Sequence, residues 1–362
     1  MKPIVVCEAI PFGYGPAAIL NSLLSELSEN YHIVVCSSGS TYDFFQKTDY
    51  ETLYCDSYDV SAISEFLLHY PNPISAVLSV ENERFLFAAK PLGLKTVYVD
   101  LFEFIWDTTD SYMPFADKYV VYTLFESNPT LAALRNKSAT FIRPAVPTFL
   151  QNESGEGILL HVGGLNSKYI HDDLLEDYAA YVSGFVRRLP SFFPSERITV
   201  VTSSCFAGPL CRHFMDGPDV MMNADVPYAD FLSLLGGCRR FITTPGIHSV
   251  LLGAHAKKQL FILYPANYTQ YVQLMGFSRL YGQTLLPSDD WIDVGSIKEA
   301  DGIEMVRQRI AGLRDSAVLD RHVKDVLTNS LCTPPENRVM NHQELPGIGD
   351  VFRLLLPDVQ SK

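Results

Sequence analysis

The chain has 362 residues, more than one ordinary hydrophobic core organises, which points to two domains. Hydrophobic residues make up 47% and charged residues 19%, enough apolar surface to offset chain entropy and to exclude general disorder. The formal charge of −13, from 28 Lys and Arg against 41 Asp and Glu, repels a phosphate backbone; no basic stripe overrides it, so nucleic acid is not an expected partner.

The opening Met1-Lys2-Pro3-Ile4-Val5-Val6-Cys7 leads into a strand pattern and not a cleavable signal. No apolar run approaches the roughly 20 residues that span a bilayer, so the cytoplasm is the expected address. Ile4 to Cys7 is the first predicted strand, and Glu8 follows it at a position suited to a ligand crevice. The loop Pro11-Phe12-Gly13-Tyr14-Gly15-Pro16 comes next, then a helix with Leu20, Leu23, Leu24 and Leu27 along one stripe. Further strands are predicted at Ile33 to Cys36, Leu53 to Cys55, Ala76 to Val80, Thr96 to Val99, Tyr119 to Tyr122 and Thr140 to Ile142. Helical stretches near 60–69, 85–92 and 128–135 separate most of them, a doubly wound α/β pattern. Asp100 follows the Thr96 to Val99 run, and Glu103 lies in the aromatic-rich segment Leu101 to Trp106.

The run Arg143-Pro144-Ala145-Val146-Pro147 closes this series, and polar Gln151 to Gly157 reads as a linker. The expected domains are therefore 1–150 and 151–335, with a tail, 336–362, whose Phe352 to Leu356 stretch packs back on the first domain. The pattern restarts at Ile158-Leu159-Leu160-His161-Val162-Gly163-Gly164, followed by a helix through Leu174, Tyr178, Val182 and Phe185. Later strands are predicted at Ile198 to Val201, Val220 to Met222, Phe241 to Thr243 and Leu260 to Leu263, with helices near 228–235, 248–256, 269–275 and 302–330. The seven cysteines are scattered without a Cys-x-x-Cys pair, so neither a disulfide framework nor a zinc knuckle is expected.

The stretch Phe241 to Met275 carries the chemistry. A buried strand leads into Thr244-Pro245-Gly246-Ile247-His248-Ser249 and a helix; a second strand leads into Pro265-Ala266-Asn267-Tyr268-Thr269-Gln270 and another helix. Ligands of open parallel sheets bind beyond the carboxyl ends of strands, where both loops fall. A helix start preceded by Gly offers unpaired N–H groups and a positive dipole end to a phosphate, and the Ser249 hydroxyl and the His248 ring add donors. A plain turn at Gly246, a cap at Ser249 and a solvent-facing His248 are the alternatives.

Here the chain resembles the GT-B glycosyltransferases, in particular the branch of the UDP-glycosyltransferases and the bacterial lipid-linked N-acetylglucosaminyltransferase. That family has a strand, a Gly loop ending in Ser, a helix, a strand, then Pro with Asp-Gln four and five residues later. Gly246, Ser249, Pro265 and Gln270 match, and Thr269 takes the Asp place. Gly163-Gly164 matches the donor loop and Gly13-Tyr14-Gly15 the acceptor-side loop. The resemblance implies two Rossmann-like domains facing across a cleft, with a nucleotide-sugar donor in the second and a small-molecule or lipid acceptor in the first. It implies diphosphate contact by Gly246 to Ser249 and donor-sugar recognition by Gln270, with no cofactor. Leu252 stands where the family often has a ribose-binding Glu, and an apolar side chain cannot accept those hydrogen bonds, so the donor nucleotide is left open.

Many relatives carry a catalytic His in the first-domain Gly loop, and this chain has none there. Glu8, Asp100 and Glu103 are the candidate replacements, each with a strand-end cap or a solvated charge as the alternative. No Asp-x-Asp ends a strand, so metal use is not expected, and the absence of Gly-x-x-x-x-Gly-Lys-Ser/Thr excludes a P-loop kinase. The activity expected from the resemblance is inverting, metal-independent glycosyl transfer. A nucleotide-sugar epimerase, a hydrolase or a non-catalytic nucleotide-sugar-binding protein on the same scaffold are the rivals.

Overall fold

The computed structural model describes residues 2–101, 115–122, 139–145, 155–165, 170, 172–214, 220–283, 285, 299–329 and 345–356. The chain divides into two compact units, one of Met1–Pro147 with Val339–Lys362 and one of Thr148–Arg338. The expected helix near 128–135, the linker residues 151–154 and Glu103 lie outside the described residues.

In the first unit the strands are β1 (Ile4–Ala9), β2 (His32–Ser37), β3 (Glu51–Tyr54), β4 (Ile74–Val80), β5 (Lys95–Asp100), β6 (Lys118–Tyr122) and β7 (Thr140–Ile142). The helices among them are α1 (Tyr14–Leu27), α2 (Gly39–Phe45), α3 (Val60–His69) and α4 (Glu83–Ala89). All strand pairs are parallel, in the order β3-β2-β1-β4-β5-β6-β7. The near-continuous apolar runs Ile-Val-Val-Cys in β1 and β2 follow from burial on both faces, since helices cover each side of a parallel sheet. One face packs Ile4, Val6, Val34, Cys36 and Val77 against Ile63 and Leu67 of α3 and Phe85 of α4. Each fully buried side chain of this size contributes about 1.5–3 kcal/mol. Strand order reverses between β1 and β4, the place where such a sheet opens a crevice.

The second unit holds β8 (Ile158–Val162), β9 (Ile198–Thr202), β10 (Val220–Ala224), β11 (Arg240–Thr243) and β12 (Gln259–Ile262), again all parallel, in the order β10-β9-β8-β11-β12. Its helices are α5 (Asp172–Phe192), α6 (Ser204–His213), α7 (Tyr228–Gly237), α8 (Ile247–His255), α9 (Tyr268–Tyr281), α10 (Glu299–Gly312) and α11 (Ser316–Thr328). A last helix, α12 (Ile348–Leu355), packs on α1 in the first unit. Its Phe352 ring meets Tyr31 edge-on at 5.6 Å, and Pro346 accepts from the Arg143 N–H at 3.2 Å.

Two helices had no sequence signal. α2 is short and polar, and α6 contains Gly208 and Pro209, which read as breakers. Burial of Phe44 and Phe45 in α2, and of Phe206 and Leu210 in α6, overrides these local preferences. Two placements differ from expectation: Glu8 lies inside β1, paired with Ser79 of β4, and not beyond the strand's end. Asp100 likewise is the last residue of β5.

Candidate functional site

The carboxyl ends of β8, β11 and β12 are neighbours in the second sheet, and each feeds a loop that the sequence singles out. Thr244, just past β11, joins its loop to that of β8 twice: its hydroxyl accepts from the Gly163 N–H and donates to the Gly163 carbonyl, both at 3.1 Å. Gln270 on α9 closes the third side. Its Nε2 donates to the Gly163 carbonyl at 2.9 Å, while its Oε1 accepts from the Ala266 N–H at 2.9 Å. Asn267 caps α9 by accepting from the Gln270 N–H at 2.9 Å and reaches the Gly164 carbonyl at 3.4 Å. Gly163, Gly164, Thr244 and Gln270 are thus brought together by side-chain bonds to main chain. At Gly164, φ is +76° and a Cβ would lie 2.4 Å from the Gln270 Nε2, so any other residue is strained there and displaces the Gln270 amide.

Gly246 forms the N-cap of α8, and no side chain caps that helix. The first N–H groups of a helix have no intrahelical acceptor, so Ile247, His248 and Ser249 direct main-chain donors and a positive dipole end outward. The Ser249 hydroxyl donates to the Gly246 carbonyl at 3.1 Å. His248 is buried: its Nε2 pairs with the Tyr228 hydroxyl at 2.6 Å, and its Nδ1 has no partner. Burial, followed by the nearby His161, pulls the His248 pKa down to about 3. Burial also lowers His161 to about 4, and its Nδ1 pairs with the Thr243 hydroxyl at 3.1 Å. Both rings are neutral at physiological pH, so the positive potential at the start of α8 comes from the peptide dipoles and not from imidazolium. Leu252, on the same helix, is fully buried and offers no polar group.

In the first unit, the carboxyl end of the sheet gathers carboxylates. Glu8 is fully buried; its Oε1 accepts from the Asn82 Nδ2 at 3.0 Å and its Oε2 from the Ser79 hydroxyl at 3.4 Å. Burial pushes its pKa well above the usual carboxylate range, against the lowering effect of those bonds. Asn82 in turn caps α4, so Glu8 anchors a helix start. Asp100, also fully buried, accepts from the Tyr119 hydroxyl. With β4 between β1 and β5, and adjacent strands about 4.8 Å apart, Glu8 and Asp100 are on the order of 10 Å apart and form no dyad.

Gly13 adopts φ +72° as the N-cap of α1 and takes a bond from the Ser40 hydroxyl at 3.0 Å; Tyr14 faces Phe44, and Gly15 is exposed. Tyr228, Asn267 and Glu81 are additions the sequence reading missed. An Asn directly before a helical run is a cap signal that could have pointed to Asn267. Nothing in the sequence marks Glu81, whose φ of +62° just past β4 directs its carboxylate to the Leu101 N–H. Among the described residues no three His, Cys, Asp or Glu side chains are grouped to hold a metal, and no helix is long and apolar enough to cross a membrane.

No protein-family model and no curated protein matches the chain. Its fold does match solved structures. A UDP-glucose:anthocyanidin 3-O-glucosyltransferase in complex with UDP is similar at 10% identity, covering 91% of this chain and 100% of that one, with a TM-score of 0.54. LpCGTa in complex with UDP is 14% identical over 98% and 99% of the two chains, TM-score 0.52. UGT2 of Phytolacca americana, complexed with UDP-2fluoro-glucose and pterostilbene, is 13% identical over 98% and 100%, TM-score 0.51. At such identities the likeness fixes the architecture, two Rossmann-like domains of the GT-B fold, and not the reaction.

Proposed function

We propose that the chain is a cytoplasmic glycosyltransferase that moves a sugar from a nucleoside diphosphate donor to a small-molecule or lipid acceptor, with inversion and without a metal ion. The second unit holds the donor, and the first unit holds the acceptor and the base. The observation that carries this reading is the uncapped start of α8 beside three strand-end loops that Thr244, Asn267 and Gln270 tie together around Gly163 and Gly164. Main-chain N–H groups already oriented in this way stabilise the charge of a departing diphosphate without reorganising as it forms.

In the proposed step the acceptor oxygen attacks the anomeric carbon on the face opposite the diphosphate. A new C–O bond forms as the bond from that carbon to the phosphate oxygen breaks, through a transition state resembling an oxocarbenium ion. The acceptor proton passes to a carboxylate, and the nucleoside diphosphate leaves. Of the expected bases we assign this role to Asp100. Glu8 is pushed toward its protonated form, and its bond to Asn82 supports the start of α4, which suits an anchor and not a base.

UDP is the first nucleotide to test, because the structural neighbours are complexes of UDP or a UDP sugar. Leu252, buried and apolar, offers no acceptor for ribose hydroxyls, so our reading assigns those contacts to other residues. The test is a thermal-shift screen of UDP, GDP and dTDP sugars, followed by product analysis with and without acceptors. A donor at a hundredfold its Kd adds about 2.7 kcal/mol to stability, and Ser249→Ala and Gln270→Ala are expected to reduce that gain. A screen in which no nucleotide sugar raises Tm contradicts the proposal. Donor conversion without an acceptor indicates an epimerase or hydrolase; binding without turnover indicates a binding protein.

A further inference from the structure

Three side chains remote from the Gly163 loop hold the segment that carries Gln270. β12 runs on through Leu263, whose N–H still donates to the Thr243 carbonyl at 2.9 Å, and the chain then leaves the sheet at Tyr264-Pro265-Ala266. This exit is poor in self-pairing, since Pro265 has no N–H. Yet both polar main-chain groups of Tyr264 are satisfied by tyrosines of α5: its N–H donates to the Tyr181 hydroxyl at 3.0 Å, and its carbonyl accepts from the Tyr178 hydroxyl at 2.7 Å. Tyr178 and Tyr181 are fully buried and one helical turn apart. The Tyr181 hydroxyl also meets Nε2 of His322 on α11 at 3.0 Å. His322 is buried with its Nδ1 unpartnered, and burial followed by the Arg309 charge pulls its pKa down to about 4, so the ring is neutral.

A hydroxyl has one proton and two lone pairs. With the Tyr264 N–H entering one lone pair, the Tyr181 proton is free to go to His322 Nε2, and the chain from peptide N–H to hydroxyl to imidazole polarises in one direction. Leaving a buried His with an orphan nitrogen costs on the order of 1–3 kcal/mol, a cost that packing alone would not require. Two residues further on, the Ala266 N–H is bound by Gln270 Oε1, whose other arm reaches Gly163.

We infer that Tyr178, Tyr181 and His322 are positioning residues for the donor site: by fixing the exit of β12 they hold Asn267 and Gln270 against the Gly163-Gly164 loop. The inference rests on the donor reading above for its functional meaning, and on geometry alone for its mechanical part. α11 thereby contributes to the site through Tyr181 without reaching it.

The test is hydrogen exchange of single amides, with UDP titration beside it. Tyr181→Phe keeps the ring and removes the hydroxyl. The amides of Ala266 and Gln270, whose own acceptors are untouched, should then exchange at least tenfold faster, with Val250 of α8 unchanged. His322→Leu should act in the same way, and His322→Gln, which keeps a group able to pair with the Tyr181 hydroxyl, should restore slow exchange. UDP affinity should fall about tenfold in the first two variants. Ordinary exchange at Ala266 and Gln270 in folded Tyr181→Phe overturns the inference. If Tyr181→Phe unfolds the unit, seen as fast exchange at Val250 as well, the His322 pair decides by the same readout. Failure of UDP to bind the unaltered protein would count against the donor reading, with the exchange rates still deciding whether these residues position the segment.

Discussion

The two sheets share one architecture and present opposite chemistry at their carboxyl ends. In the first unit that end carries Glu8, Glu81 and Asp100, all buried side-chain acids whose partners are an amide, hydroxyls and an N–H. In the second, among the described residues, it carries glycine main chain, neutral histidines and amide or hydroxyl side chains, with no carboxylate on the three linked loops. A parallel sheet brings its loops to one edge whatever they contain, so the frame fixes where a ligand binds and the loop residues fix what it is. An edge of main-chain donors suits an anion, and an edge of carboxylates suits a proton to be taken.

The sharpest way to break this division is at the acids. Asp100→Asn should lower kcat by about 10²–10⁴, the usual contribution of a general base, with donor affinity unchanged. Glu8→Gln should leave kcat within about threefold, since burial already favours the protonated acid. The opposite result, loss with Glu8→Gln and none with Asp100→Asn, would exchange their roles.

Opposed pH dependence comes next. His161, His248 and His322 have folded pKa values of about 4, 3 and 4, below that of a free imidazole. The unfolded chain therefore binds protons first, so stability of the second unit is full above about pH 6.5 and is lost as pH falls toward 4, by on the order of 3 kcal/mol per buried ring. Glu8 has the reverse sign. Its raised folded pKa gives a contribution that is complete below the unfolded value and declines as pH rises through the folded one. Denaturant unfolding of wild type and Glu8→Gln from pH 4 to 8 checks this: the variant should gain on wild type as pH rises, and His322→Gln should gain as pH falls.

Glycine substitutions give a smaller contrast. Gly164→Ala meets both a left-handed φ and the Gln270 side chain, and should cost about 1–2 kcal/mol in stability and weaken donor binding at least tenfold. Gly15→Ala, with nothing within 4 Å of the added methyl, should stay within about 0.5 kcal/mol of wild type. Thr244→Val, which removes one hydroxyl shared by two bonds to Gly163, should cost on the order of 1 kcal/mol, read as a Tm difference.

Much of this frame was legible in the sequence. The described strands match the apolar runs to within about two residues; in central strands such as β1 and β4, burial on both faces writes a near-continuous signal. The Gly163-Gly164, Thr244 and Gln270 loops were recognisable as strand-end segments, and the sheet order makes them neighbours. What pairing they make was not legible: Gln270 spends both ends of its amide on main chain, and His248 turns to Tyr228, because such bonds depend on distances between loops far apart in the chain. The state of Glu8 was hidden for the same reason, since Asn82 and Ser79 reach it only once β1 and β4 pair. Glu81 adopts a left-handed φ that composition does not announce.

The central claim is that the main-chain amides beside α8 hold a nucleoside diphosphate. Its most direct test is a titration of UDP followed by the amide resonances of Gly163, Ile247, His248 and Ser249, with Gly13 and Tyr14 as the first-unit reference. The account predicts saturable shifts at those four amides and none at the reference pair. Unmoved amides at the start of α8 at saturating UDP, or shifts confined to Gly13 and Tyr14, would contradict it.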